Sequence, residues 1–520
     1  MGALGSLMVL SYPELLLALL SFVSLGALRL TLRSRRLLAP VGWPVVGMLP
    51  FLVSNLGRLL DAATDALREC GCTFTFRGPW LARSDFLVTC DPAVVRHCLA
   101  SSFHNYDKGR GFAEMFDVVG DGLLVADAAS WARQRHVVAS VFASPAFRAH
   151  VLSTMARHAE RLVAFLDHHA GDVEEEVELE DVFMRFSLDV SYASVFGAAD
   201  LDALSVAAAA APVTPFGEAT RVVSEAVLLR HVVPVWCWKT MRWLNVGIEK
   251  RHAEAKAVID QVIYGEINKR KALAGTQGEE EDGDLLSMFM AWPKDPAVTE
   301  RERDQFLRDA AVGYMFAAKD LIVAALTWFC YMLCTHPHVE AAILHELRSL
   351  PHPTVVMTTG HAVFDADELR PATYLHAAVL ETLRLFPPAP FEEKEALADD
   401  VLPNGTRVAK GTPVIFCIYA MGRMKGIWGE DCQEFRPERW LAGGGRVRHQ
   451  PSHKFAVFNC GPRSCLGRNL GISNLKIAAA AIIHNFRLEL VEGQVVEPLS
   501  SVVLHTKNGL RVRVTRREEA

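Results

Sequence analysis

Apolar side chains recur at helical spacing along most of this chain. From about residue 55 onward, segments with an apolar period near 3.6 residues are separated by short polar, proline or glycine breaks, and this pattern predicts amphipathic helices. Patterns typical of strands are confined to residues 73–76 with 86–89, to residues 401–415, and to residues 502–514 with a hairpin turn at Lys507-Asn508-Gly509. The sequence therefore predicts a mainly α domain with small β-sheets.

The amino terminus carries a different pattern. Residues 15–28 are uninterrupted apolar or small side chains, residues 7–12 extend this run upstream, and Arg29, Arg33, Arg35 and Arg36 come directly after it. The run approaches the roughly 20 residues that cross a bilayer, and the arginines favour a cytoplasmic position for the rest of the chain. A cleaved signal peptide is the alternative, but its charge should precede the apolar run. We expect one transmembrane helix in a membrane anchor at residues 1–30, a basic and proline-rich linker at 31–54, and one large domain at 55–520.

Composition narrows the classes of protein that fit. The chain has 520 residues, 51% of them hydrophobic, which is enough to bury one very large core or two ordinary ones. Its net charge of −6, without a basic tract that contains aromatics, argues against nucleic acid as a partner. The 11 cysteines form neither a short-period disulfide framework nor the paired clusters of a zinc site, so reduced thiols are expected.

One cysteine lies in a loop whose residues point to specific chemistry. Residues 458–467 read FNCGPRSCLG, which places a sulfur ligand between glycines that let the backbone approach a flat ring. On its own, such a cysteine is more often a buried free thiol. The spacing of Phe458, Gly461, Arg463, Cys465 and Gly467 resembles the haem-binding loop of the cytochrome P450 superfamily. The resemblance implies a P450 fold and haem b, with Cys465 as the axial ligand of iron and Arg463 in contact with the haem propionates.

Further motifs of the same family occur in the expected order. Trp131 and Arg135, one helical turn apart, resemble the pair that reaches a haem propionate, although alone they would suggest a core aromatic beside a surface cation. Glu381 and Arg384 resemble the family's Glu-x-x-Arg, which elsewhere would be an ordinary surface ion pair. Together with Arg439 in the run Phe-Arg-Pro-Glu-Arg-Trp, they are expected to form a buried structural network.

The segment from Phe316 to Trp328 resembles the family's distal helix, with an important departure. Asp320 retains the expected acid and is the candidate catalytic residue, but Ala318 replaces a glycine and Leu321 replaces the threonine whose hydroxyl holds a proton-passing water. Three consequences are open: a water from Asp320 substitutes, a hydroxyl of the substrate substitutes, or the reaction leaks peroxide. Alternatively, Leu321 only tightens an apolar pocket.

Longer runs refine the resemblance. Residues 42–50, 401–405, 419–424 and 427–431 are similar to the plant fatty-acid omega-hydroxylase clan, within it to the branch of midchain alkane hydroxylases and phenol-coupling enzymes. This implies a monooxygenase that uses O2 to hydroxylate a lipid-like aliphatic substrate, such as a fatty acid, alkane or derived alcohol, in an apolar channel. The candidate channel residues are Phe112, Met115, Phe116, Phe316, Leu321, Val502 and Val503.

The resemblance also implies partners and leaves rivals open. Because the chain shows no Gly-rich nucleotide-binding motif, NADPH-derived electrons must come from a separate NADPH-cytochrome P450 reductase. The expected location is the endoplasmic reticulum membrane, crossed once, with the catalytic domain in the cytosol. One rival is an oxidase that couples or dehydrogenates a hydroxylated or phenolic substrate. The other is a haem-binding protein with weak turnover.

Overall fold

The computed structural model describes residues 42–43, 45–80, 85–170, 175–197, 201, 203–204, 214–274, 283–292, 298–350, 354–355 and 360–517. The expected anchor at residues 1–30 and the first part of the expected linker lie outside these residues. The described residues are mainly helical with small sheets, which confirms the predicted class.

Seventeen α-helices are present in the described ranges. Their bounds are α1 Leu49–Ser54, α2 Leu59–Glu69, α3 Pro92–Arg96, α4 Gly109–Met115, α5 Ala128–Ala143, α6 Pro145–His169, α7 Leu179–Phe196, α8 Pro215–Val232, α9 Val235–Leu244, α10 Gly247–Ala274, α11 Leu285–Met290, α12 Glu300–Thr335, α13 Pro337–Arg348, α14 Thr373–Leu385, α15 Ile418–Met421, α16 Lys425–Trp428 and α17 Arg468–Asn485.

Helix α12 runs through the centre of the main hydrophobic core. It begins with a capping box, in which Thr299 Oγ1 accepts from the backbone N–H of Glu302 and the Glu302 carboxylate accepts from the backbone N–H of Thr299. Among the described helices it is the one long and apolar enough to cross a membrane, but 72% of its apolar window is buried inside the fold. Helix α17 packs against it, and the four alanines 478–481 of α17 are all buried in the same core. Helix α12 is therefore a core helix.

Fourteen short strands are present in the described ranges, and five of them form the largest sheet. The strands are β1 Thr73–Phe76, β2 Phe86–Thr89, β3 Tyr106–Asp107, β4 Val177–Glu178, β5 Thr354–Val355, β6 Ala362–Val363, β7 Phe391–Ala396, β8 Asp400–Val401, β9 Arg407–Val408, β10 Pro413–Cys417, β11 Leu441–Ala442, β12 Arg446–Val447, β13 Phe486–Leu490 and β14 Arg511–Arg516. The largest sheet has the order β1-β2-β10-β7-β3, with β10 parallel to β2 and antiparallel to β7.

Two of the predicted strand segments need correction. Strands β1 and β2 have the predicted bounds, but residues 401–415 are divided among β8, β9 and the start of β10. In the carboxyl-terminal segment only β14 is a strand, and it pairs with β13 and β4, so the predicted hairpin turn at 507–509 is wrong. Thr506 instead forms an isolated bridge with Pro498. The turn residues 507–509 do not form a hairpin because neighbouring backbone groups bond elsewhere. The Glu178 carboxylate accepts from the backbone N–H of Leu510.

Candidate active site

Cys465 lies just before the amino terminus of helix α17. Its backbone N–H donates to the Phe458 carbonyl at 2.8 Å, which closes the loop. Burial raises the pKa of Cys465, while hydrogen bonds from the backbone N–H groups of Gly467 and Arg468 and the charge of Arg135 act in the opposite direction. The cysteine is nevertheless exposed. A raised pKa and an exposed residue are compatible if the sulfur faces a space enclosed by protein. The surrounding atoms then exclude bulk water but do not contact the sulfur itself.

Two glycines of the loop differ in what a side chain would meet, and only Gly461 has a steric reason to be glycine. Gly461 has φ +68°, and a Cβ there would lie 2.0 Å from the Leu99 carbonyl oxygen, so a side chain would displace the loop. At Gly467 a Cβ would lie 3.9 Å from the Cys465 sulfur and 3.6 Å from the Phe142 ring. A larger residue at Gly467 would therefore begin to fill the space beside the sulfur.

The structure brings the three predicted propionate-binding residues to the same loop. Arg135 Nη2 donates to the Ser464 carbonyl at 2.6 Å, next to Cys465. Arg463 Nη2 donates to the Asp127 carboxylate at 2.7 Å, and its guanidinium carbon lies 4.9 Å from the centre of the Trp131 ring. The Arg463 Nε–H is buried without a hydrogen-bond partner among the described residues. The Arg463 Nε–H can thus donate to a further anionic oxygen that binds at this cluster.

Lys394, which the sequence analysis did not identify, belongs to the same surroundings. Its ammonium is buried with no hydrogen-bond partner in the described ranges, and it lies 3.7 Å from a carboxylate oxygen of Glu392, beyond hydrogen-bond distance. Burial lowers its pKa to about 7, with Glu392, Arg463 and Asp127 among the charges that act on it. Four of the six residues in the run Phe391–Ala396 are charged, so no alternation of apolar and polar side chains marks Lys394 as a buried position.

An apolar face of helix α12 lies near the cysteine loop. Gly313, Ala317 and Leu321 recur every four residues and share this face. Ala317 is exposed within a largely buried helix, and a Cβ at Gly313 would meet nothing within 4 Å, so the face borders open space. The Phe142 ring lies between helix α12 and the cysteine loop. Its centre is 6.0 Å from the centre of the Tyr314 ring of α12, and a Cβ at Gly467 would lie 3.6 Å from the Phe142 ring.

Asp320 lies beside this face but does not belong to its open part. Its carboxylate is buried, forms an ion pair with Lys319 and accepts from Ser224 Oγ of helix α8 at 3.2 Å. Burial raises the pKa of Asp320. The charges of Lys319 and His505 and the hydrogen bonds from Lys319 and Ser224 lower this pKa by more, so the net shift is downward. The expected catalytic role of Asp320 stays a prediction.

Glu381, Arg384 and Arg439 contact one another in a buried network. Arg384 binds both Glu381 oxygens through Nε and Nη2 at 2.8 and 2.7 Å, and Arg439 Nε donates to Oε1 at 3.2 Å. Glu381 also accepts from the Trp440 indole at 2.8 Å and from the backbone N–H of Arg436 at 3.0 Å. The side chains of Glu381 and Arg384 are fully buried. Every charge in the network is thus compensated by hydrogen bonds.

The candidate channel residues fall into two groups. Phe112 and Phe116 stack with ring centres 4.4 Å apart, Phe116 meets the His231 ring at 5.6 Å, and the Met115 carbonyl accepts from Arg230 at 2.8 Å. This group therefore lies against helix α8. The other group comprises Phe316 and Leu321 on helix α12 together with Val502 and Val503, all half-buried.

Comparisons with known proteins identify the family of the chain. The family model for cytochrome P450 matches residues 38–512. Noroxomaritidine synthase of Narcissus aff. pseudonarcissus MK-2014 is 39% identical over 510 residues, which is 97% of each chain. The alkane hydroxylase MAH1 of Arabidopsis thaliana is 36% identical over 91% of this chain and 93% of its own. Cytochrome P450 86B1 of Arabidopsis thaliana is 37% identical over 97% of this chain and 90% of its own. The chain therefore belongs to the cytochrome P450 family of monooxygenases.

Proposed function

We propose that this chain hydroxylates a long-chain aliphatic substrate, such as a fatty acid, an alkane or a derived alcohol. The observation that carries the proposal is the apolar face of helix α12 at Gly313, Ala317 and Leu321, which borders open space near Cys465. Similarity to an alkane hydroxylase supports the same substrate class. A face of apolar side chains suits the hydrocarbon part of a substrate, because apolar surface that is buried there is removed from water.

The residues around Cys465 fit haem b. The uncovered sulfur would bind the iron, Gly467 leaves space beside it, and the propionates would meet Arg135, Arg463 and the otherwise unpartnered Lys394. When bound, the haem supplies oxygen activation with electrons from the reductase. Lys394 makes no hydrogen bond within the described residues and lies 3.7 Å from a Glu392 oxygen, so two propionate carboxylates would further stabilise its charged form.

The chain's own contribution is to bind and orient the substrate and to exclude water. Phe112, Phe116, Phe316 and Leu321 would bind a hydrocarbon chain through apolar contact. Each methylene that enters such a channel contributes about 0.8 kcal/mol. Longer substrates should therefore bind more tightly, until the channel is filled.

Exposed aromatic side chains support a membrane location. Trp236 and Trp243 on helix α9 are 72% and 81% exposed, and Trp80 is 78% exposed. Indole rings stabilise proteins at the membrane–water interface. We expect a chain that lacks residues 1–30 to keep partial association with vesicles, and Trp236→Ser with Trp243→Ser to reduce it. Equal vesicle association of the truncated chain with and without the two tryptophan substitutions would contradict this part of the proposal.

One observation favours a second function, the coupling or dehydrogenation of a hydroxylated or phenolic substrate. Leu321 has no hydroxyl and Asp320 is paired with Lys319, so the groups that the family uses for proton delivery are altered. A substrate hydroxyl would compensate in that reaction. The third alternative, a haem-binding protein with weak turnover, predicts NADPH use without a stoichiometric product.

The deciding experiment measures product formed per NADPH consumed, with the full chain and NADPH-cytochrome P450 reductase in membranes. The panel contains long-chain acids, alcohols, alkanes and simple phenols, and Cys465→Ser provides the background. A product that gains one oxygen supports hydroxylation, whereas a product that loses two hydrogens supports the second function. NADPH consumption that yields only peroxide with every compound would contradict both.

A further inference from the structure

The strongest unexplained feature is a buried group of charged and polar side chains behind the apolar face of helix α12. Lys319 and Asp320 expose only 4% and 6% of their side chains. Three other elements contribute to the group: Ser224 of α8 donates to Asp320, Ser187 of α7 donates to the Lys319 carbonyl at 2.9 Å, and the charge of His505 acts on Asp320. Asp320 is therefore held from several sides.

The position of the lysine is the important part. Lys319 Nζ contacts Asp320 Oδ1 and lies 3.2 Å from the Met184 sulfur of helix α7, which is a weak acceptor. Protonating Asp320 would leave the buried Lys319 ammonium with the Met184 sulfur as its remaining hydrogen-bond partner among the described residues, which is unfavourable. His505 strengthens the same preference, although Glu180 partly balances it at 2.6 Å from His505 Nδ1.

The open part of the face offers no substitute. Gly313, Ala317 and Leu321 carry no side-chain hydrogen-bond donor, and Thr327, which does, is buried more than one and a half turns beyond Leu321. The Tyr314 hydroxyl interacts with Ser194, on the α7 side of helix α12. Among the described residues, the side chains of this face therefore provide no proton donor.

We infer that Lys319 is a positioning residue that keeps Asp320 ionised and turned toward Ser224, so that a hydroxyl of the bound substrate supplies the hydrogen-bond donor at the apolar face. This inference rests on the proposed function and narrows it to alcohols or phenols. For each O2, two electrons from the reductase and two protons are consumed, one oxygen enters the product and the other leaves as water. The substrate hydroxyl relays these protons and is restored from solvent.

The first test examines Asp320 without relying on activity. Infrared difference spectra of the full haem-loaded protein, with Asp320→Asn used to assign the carboxyl band, should show Asp320 ionised from about pH 5 to about pH 8. Lys319→Met should produce a protonated carboxyl in that range, and Lys319→Arg should not. Lys425→Met, which removes an exposed lysine paired with Glu430, is the matched control and should change nothing.

A protonated Asp320 in the unmodified protein at neutral pH would overturn the inference. That comparison needs only the unmodified protein and Asp320→Asn, so it decides even if Lys319→Met does not fold. An unchanged spectrum in folded Lys319→Met would also overturn it.

The second test compares a long-chain alcohol with the alkane of equal length. In the unmodified protein, product per NADPH should be higher for the alcohol, by about tenfold or more, because only the alcohol carries a proton donor. Leu321→Thr should raise the value for the alkane and reduce the difference. Equal coupling of both compounds would overturn the substrate requirement. Failure to oxidise any acid, alcohol, alkane or phenol would instead refute the proposed function, while the infrared result would still decide the role of Lys319.

Discussion

Replacing Glu381 by glutamine keeps the size of a fully buried side chain and removes its charge. The carboxylate accepts hydrogen bonds from Arg384, Arg439, Trp440 and the Arg436 backbone, and donors meet both of its oxygens. In glutamine one of these oxygens becomes an NH2 group. Whichever way the amide turns, that NH2 meets N–H groups that have lost their acceptor.

The expected loss is large for one atom. Breaking a buried ion pair from one side costs about 3–5 kcal/mol, because the partner charge remains buried. Arg384 is fully buried and Arg439 is 11% exposed, so water can compensate little. Since whole domains have a free energy of unfolding of about 5–15 kcal/mol, this single change should remove roughly a fifth of it or more.

Urea unfolding of the haem-loaded protein, monitored by the haem spectrum and by circular dichroism, measures the loss. Glu430→Gln is the matched control, because Glu430 is 87% exposed and its ion pair with the exposed Lys425 should contribute little to stability. A Glu381→Gln protein that unfolds within about 1 kcal/mol of the unmodified protein would show that the buried network does not stabilise the fold.

Three further predictions concern the cysteine loop and its surroundings. Cys465→Ser should fold but lose the thiolate signature in the spectrum of the reduced carbonyl complex, and a retained signature would exclude Cys465 as the ligand. Burial lowers the pKa of Lys394 from 10.5 to about 7, so between these pH values the unfolded chain binds more protons than the folded one. The stability of the haem-free protein should therefore rise with pH through that window. Lys394→Met should flatten the pH profile of the urea midpoints, and an unchanged profile would contradict the lowered pKa of Lys394. Gly461→Ala should destabilise the protein by at least about 1–2 kcal/mol, from positive φ and overlap with the Leu99 carbonyl, whereas Gly443→Ala, in open space, should unfold at the same urea concentration as the unmodified protein.

The sequence predicted those features that depend on local pattern or on fixed spacing. Strands β1 and β2 were predicted with their observed bounds, because their apolar runs end at clear breaks. Strand β7 was missed because four of its six residues are charged, and only tertiary packing against β10 and β3 makes it a sheet strand.

Interactions between charged side chains that depend on distant parts of the chain could not be predicted from the sequence. Lys319 and Asp320 are adjacent, and adjacent residues on a helix point in different directions. Their ion pair depends on helices α7 and α8, which enclose the lysine chain and position Ser224. The unpartnered state of Lys394 likewise depends on where Arg463 and Asp127 lie in the fold.

The hydrogen bond from Arg135 to the Ser464 carbonyl joins residues 329 positions apart. During synthesis, at about 5–20 residues per second, roughly 16–66 s would separate these two halves of the proposed haem pocket. Strand β2 must wait similarly long for its parallel neighbour β10. The pocket is therefore among the last parts of the molecule to assemble, and haem capture belongs to the end of translation or after it. A ribosome that stalls before residue 464 would leave an apolar, haem-free chain that depends on chaperones for its solubility.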